Sequence, residues 1–160
     1  PRGRWYLYSW KGDHLKSGGI ATNLGIHFFD MLIWIFGRVV SSEVHLSDEE
    51  RMGGFLELEK ARVRWFLSTK KEDAPHFRTK EKIQAYRSIT IDNNEIEFSD
   101  VFTDLHTNVY KEIFVGGGFG INDARPSLEL VHHLRKAIPV LSVPEKIHPS
   151  SNKIIKKRIR

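Results

Sequence analysis

Residues 18–36 read GGIATNLGIHFFDMLIWIF. From Ile20 the apolar residues recur every three to four positions as far as Phe36, and Gly37 supplies a usual helix stop. A helix is therefore expected over 20–36. The pattern on either side has the other period. Residues 39–47 read as a strand. In 53–68, Leu56 and Leu58 alternate with Glu57 and Glu59, then Val63, Trp65 and Leu67 alternate with Arg62 and Arg64. This is a hairpin turning near Lys60. Residues 88–98 (SITIDNNEIEF) form a second hairpin, with Asn93-Asn94 suited to the positive φ angles of its turn.

The remaining segments are read around that frame. Residues 4–10 (RWYLYSW) are aromatic and roughly alternating, which predicts a strand. KGDHLKS (11–17) is a polar loop closed by Gly18-Gly19. The charged stretch 69–86 reads as an exposed connection, longer than compact domains usually carry. Helices are expected over 105–115, ended by Gly116–Gly118, and over 124–137, with Pro126 in the first turn, where its missing N–H costs little. Pro139, Pro144 and Pro149 mark an extended basic tail over 139–160. The sum is α+β: a mostly antiparallel, open-faced sheet with helices on one face. Trp65 and the aromatics of the first strand suggest that the open face meets a partner, so oligomerisation through the sheet is expected.

Composition sets limits on function. The chain has 160 residues, 40% of them hydrophobic, enough for one core. It has no cysteine, which excludes disulfides, thiolate metal sites and cysteine nucleophiles. The net charge of +5 is mild and concentrated in Lys153–Arg160. That tail lacks interleaved aromatics and any groove-reading motif, so a solvated terminus is expected and no nucleic acid. The longest uninterrupted apolar run, Met31–Phe36, is far short of the about 20 residues that cross a bilayer, so no membrane is expected. No signal peptide opens the chain. The start at Pro1 without Met reads as part of something longer.

The chemistry sits on the first helix. Asn23, His27 and Asp30 are spaced i, i+4, i+7 and share one face of an otherwise apolar helix, with Gly19 a turn earlier. Left unpartnered in a core, each polar group costs about 1–3 kcal/mol, so water, another domain or a ligand must face them. Histidine can take and return a proton near neutral pH, and Asp30 is placed to orient it. A structural His–Asp pair fits the same spacing and is the commoner arrangement. Asn and one His make a poor zinc site, so no metal is expected.

GGIATNLGIHFFDML resembles the helix that opens the C-terminal domain of the Gfo/Idh/MocA oxidoreductases, whose pattern is Gly-Gly-x-x-x-Asp-x-Gly-x-His-x-x-Asp. Four stretches, 9–32, 87–100, 102–113 and 118–135, resemble the UDP-N-acetyl-2-amino-2-deoxyglucuronate dehydrogenase branch. They follow its order over about half of the chain. The resemblance implies a substrate-binding and oligomerising domain over 1–138. It implies a separate Rossmann domain that binds NAD and supplies a lysine from a Glu-Lys-Pro motif. Neither that motif nor a Gly-x-Gly-x-x-Gly after a strand occurs here, and GGGFG (116–120) precedes no βαβ unit. This half should not catalyse alone.

By the family pattern, His27 is the general acid/base for a sugar hydroxyl and Asn23 stands where many relatives have Asp. Asn23 would hold the reacting hydroxyl, with Asp30 in support. The implied reaction is oxidation of a nucleotide sugar's 3-hydroxyl, with hydride passing to NAD, in a cytoplasmic homo-oligomer that makes surface-polysaccharide precursors. Lys11, Lys16 and the N–H groups of Ser17 to Gly19 would cradle the anionic substrate; a solvated loop is the plain alternative. Arg125 is a weaker anion candidate, more simply paired with a carboxylate. His14 and His106 are minor candidates, and His132 and His133 point about 100° apart and cannot chelate together. Two other readings remain: a dehydrogenase of another sugar or cyclitol, or a non-catalytic oligomerisation module.

Overall fold

A computed structural model describes residues 8–74, 85–99 and 104–159. A short helix α1 (His14–Ser17) leads into a π-helical turn, Ala21–Gly25, that continues as α2 (Ile26–Phe36). Strands β1 (Val39–Ser47), β2 (Arg51–Leu58) and β3 (Arg62–Ser68) form an antiparallel sheet in that order. The hairpin β4 (Ser88–Ile91) and β5 (Asn94–Glu97) follows, then α3 (Leu105–Phe114), α4 (Ile121–Leu134) and α5 (Pro149–Ile159). The architecture is α+β and antiparallel, as the alternating patterns require.

One face of the sheet makes the core. Leu56 and Leu58 of β2 and Trp65 of β3 pack against Phe29 and Leu32 of α2 and Leu130, Val131 and Leu134 of α4. Each such side chain, fully buried, contributes about 1.5–3 kcal/mol. Trp65 meets Phe29 edge-on at 5.2 Å. It is therefore a core residue, and the expectation that Trp65 marks a surface for a partner is corrected.

The opposite face is partly covered by the chain's own C-terminal segment. Val140 N–H donates to Val44 O at 2.8 Å, beside edge strand β1. Lys146 pairs with Glu43 and lies 5.0 Å over the Phe55 ring. His148 stacks on Phe66 at 5.6 Å, and Ser151 is buried against Gly53. The tail expected to be extended over 139–160 thus holds an eleven-residue helix docked on the sheet. The sequence reading gave its prolines more weight than the groove that glycine and two phenylalanines leave on β2 and β3.

Smaller corrections have local causes. Residues 4–7 of the expected first strand lie outside the described residues, and Tyr8–Trp10 turn rather than extend, because Gly12 and Asp13 donate back to the carbonyls of Ser9 and Trp10. The second hairpin turns at Asp92-Asn93, one residue early, with φ of 48° and 66°. Helix α4 begins at Ile121, where Asp123 accepts the Gly120 N–H at 2.6 Å, so Pro126 sits in the second turn and removes one ladder bond. The connection after β3 starts pinned, with Asp73 accepting from Arg51 and from Ser68, both at 2.6 Å. Helix α3 buries none of its residues.

The stretch Leu15–Phe36, 22 residues and bent at Gly18-Gly19, is long and apolar enough to cross a membrane by length and composition alone. The earlier expectation counted only unbroken apolar runs. Here Ala21, Phe29 and Leu32 of that stretch belong to the core.

Two predictions follow from the sheet. A Cβ on Gly54 would stand 2.1 Å from the Glu43 carbonyl and 2.8 Å from the Trp65 ring. Gly54→Ala should cost at least about 2 kcal/mol in urea unfolding, since backbone cannot yield as a side chain can; wild-type stability would contradict the register. Burial, with the Arg64 charge adding to it, pushes the His148 imidazole down from 6.5 to about 4. The unfolded chain therefore binds a proton that the folded one refuses. Stability should be complete above pH 6.5 and decline as pH falls toward 4. His148→Phe should flatten that part of the profile, and a slope unchanged by the substitution would refute the burial argument.

Candidate active site

Two glycines and a π-turn position the polar stripe. Gly18 and Gly19 have φ of 77° and 76°, which bends the chain from α1 into the long helix. Thr22 Oγ1 donates to Gly18 O at 3.0 Å and the Gly19 N–H donates to the buried Ser17 Oγ at 3.1 Å. Turns with i→i+5 bonding are rare and concentrate at functional sites. This one contains Asn23 and ends at Gly25. A Cβ on Gly25 would stand 2.9 Å from Leu67 Cδ1 and 2.6 Å from the Phe29 ring, so glycine lets the helix backbone lie against β3.

With that side of the helix wedged inward, the other side faces out. His27 and Asp30 are exposed and Asn23 is half-buried. Among the described residues, no hydrogen bond joins Asp30 to His27, so the structure shows no contact behind a supporting role for that carboxylate. Phe28 meets Phe98 at 6.2 Å, which brings the end of the second hairpin to the flank of this helix. The Asn23 Nδ2 donates to Lys11 O and to Gly19 O, each at 3.2 Å. Its Oδ1 carries no hydrogen bond among the described residues.

The proposed anion cradle is only partly available. Ser17 N–H donates to Asp13 O at 2.8 Å and the Gly19 N–H is taken by Ser17, so neither amide is free for a ligand. Lys16 is exposed and pairs with Asp13 at 3.7 Å. The Asp13 carboxyl, which caps α1 at Lys16 and Leu15, is held below its ordinary range chiefly by the Lys16 backbone N–H. Lys11 stands 5.7 Å over the Trp10 ring.

Sequence reasoning missed Arg135. Helices α2 and α4 run antiparallel, which carries the end of α4 to the start of the long helix. There Arg135 joins Gly18, Gly19 and Asp48 around a cavity of about 200 Å³. Only the helix pairing, invisible in either helix alone, places it. Arg125 is exposed and pairs with no carboxylate among the described residues. His106, His132 and His133 are exposed, and the His14 side chain lies outside the described residues. Among the described residues no group of three His, Asp or Glu could hold a metal. Gly116–Gly120 joins α3 to α4, helix to helix, and is not a dinucleotide loop.

The family described as the oxidoreductase family, C-terminal alpha/beta domain (Gfo/Idh/MocA) matches residues 2–76. This chain belongs to the Gfo/Idh/MocA family, of which it carries that domain. It is similar to the WlbA (WbpB) dehydrogenase of Thermus thermophilus in two crystal structures. One is in complex with NAD and alpha-ketoglutarate, the other with NAD and UDP-GlcNAcA. Each shares 48% identity over 92% of this chain, with a TM-score of 0.87. The chain spans about half, 48%, of the length of those relatives.

The Gly25 contact is testable. Gly25→Ala should destabilise the fold by about 1 kcal/mol net, because the shift of Leu67 and Phe29 outweighs the gain of alanine over glycine in a helix. Denaturant midpoints check this, and an unchanged midpoint would show that the helix does not depend on that approach.

Proposed function

We propose that this domain serves an NAD-dependent dehydrogenase that oxidises the 3-hydroxyl of a nucleotide sugar resembling UDP-GlcNAcA. The observation that carries the reading is the exposed His27 one turn beyond Asn23, on a helix whose other side is locked into the core. The relative's complex with NAD and UDP-GlcNAcA supports the substrate class. NAD, held mainly by a dinucleotide-binding half, would supply the hydride acceptor.

The residues of this chain do the rest. The His27 imidazole takes the hydroxyl proton as the C–H hydride leaves, so a ketone forms and the proton stays on the ring. With both Nδ2 hydrogens engaged by backbone carbonyls, Asn23 Oδ1 accepts a hydrogen bond from a sugar group next to the reacting hydroxyl and holds the ring in line. Asp30 contributes negative charge beside the developing imidazolium. Lys11 and Lys16, with Gly19 lining the approach, meet the anionic part of the substrate. Ile138, Leu141 and Val143, exposed on the C-terminal segment that runs beside β1, add apolar surface to the sheet for a second copy in a homo-oligomer. A cytoplasmic role in surface-polysaccharide precursor synthesis follows from the nucleotide-sugar reading.

In the full-length enzyme, His27→Asn should lower kcat by about 10²–10⁴-fold with folding and assembly unchanged. Retained turnover would overturn the acid–base assignment and favour a non-catalytic assembly module.

A further inference from the structure

Asn23 is asymmetric in what it can offer. Its nitrogen is committed twice, to Lys11 O and Gly19 O, while its oxygen is free among the described residues. The two carbonyls bracket α1, so one carboxamide fastens the 9–13 turn to the entrance of the long helix. Within that turn, Gly12 N–H donates to Ser9 O at 3.0 Å and Asp13 N–H to Trp10 O at 3.3 Å. At its tip, Lys11 rests over Trp10. An aspartate here would retain an acceptor and lose both donors, and its charge would face two carbonyl oxygens. The clamp therefore needs the carboxamide.

We propose that Asn23 is a positioning residue for the Lys11 turn: through its Nδ2 it sets the ammonium against an anionic group of the substrate, the sugar carboxylate or the diphosphate. This rests on the nucleotide-sugar reading above. It gives the two ends of one carboxamide separate tasks, with the oxygen toward the sugar ring and the nitrogen holding the turn that carries Lys11.

The test compares Asn23→Asp, Lys11→Ala and the double variant in the full-length enzyme, with amide exchange followed at Gly12 and Asp13. In Asn23→Asp, exchange at both amides should quicken and KM for UDP-GlcNAcA should rise about tenfold, a larger change than any fall in kcat. Lys11→Ala should raise KM similarly, and the double variant no more than either alone, because both act on one contact. Inhibition by UDP separates the sources: a weakened UDP in Lys11→Ala identifies the diphosphate, and an unchanged one the carboxylate. Unchanged exchange in Asn23→Asp, or a fall in kcat without a rise in KM, overturns the proposal. If wild-type protein oxidises no nucleotide sugar, the functional reading fails separately, and the exchange measurement still decides whether the clamp exists.

Discussion

The backbone at Gly25 lies so close to the Leu67 side chain of β3 and to the Phe29 ring that a methyl group there would require both to shift. That closeness holds the helix that carries the polar stripe against the sheet. It seats the π-turn on the sheet, lets Phe29 reach Trp65, and leaves Ala21 buried at the start of the same helix. Once one side of a helix is fixed so tightly, the other side is fixed too. His27 and Asp30 face outward because Phe29 and Leu32 face inward.

The polar stripe is then inexpensive to keep. Burial of three polar side chains on an apolar helix would cost several kcal/mol if they lacked partners. The fold avoids this in two ways: His27 and Asp30 stay hydrated, and Asn23, the half-buried member, gives both amide hydrogens to backbone carbonyls. The loop beside the stripe also sorts its charges. Lys16 is matched by Asp13 and is mostly solvated, so its pairing is worth little. Lys11 and Arg135 have no acidic partner among the described residues and supply the local positive charge.

The sequence was most legible where a single period decides structure. The alternation of Leu56, Leu58, Val63 and Leu67 located the central hairpin, and Gly37, with φ of 89°, ends α2 as expected. The chemical residues were legible as residue types at a spacing, and the family resemblance lent them roles. What escaped was set by distant contacts. The π-turn depends on Gly25 meeting a strand some forty residues later. The docked α5 depends on Gly53 admitting Ser151 and on Glu43 accepting Lys146 across the sheet. Arg135 reaches the helix entry only through antiparallel packing. Trp65 looked like surface because aromatic alternation does not say which face is covered first.

The central claim is that the outward face of this helix meets a sugar hydroxyl. A crystal structure of the full-length enzyme with NAD and UDP-GlcNAcA measures that directly. The account predicts a His27 ring nitrogen about 2.6–3.2 Å from the sugar 3-hydroxyl. A sugar bound elsewhere, with the His27 imidazole still in solvent, would contradict it.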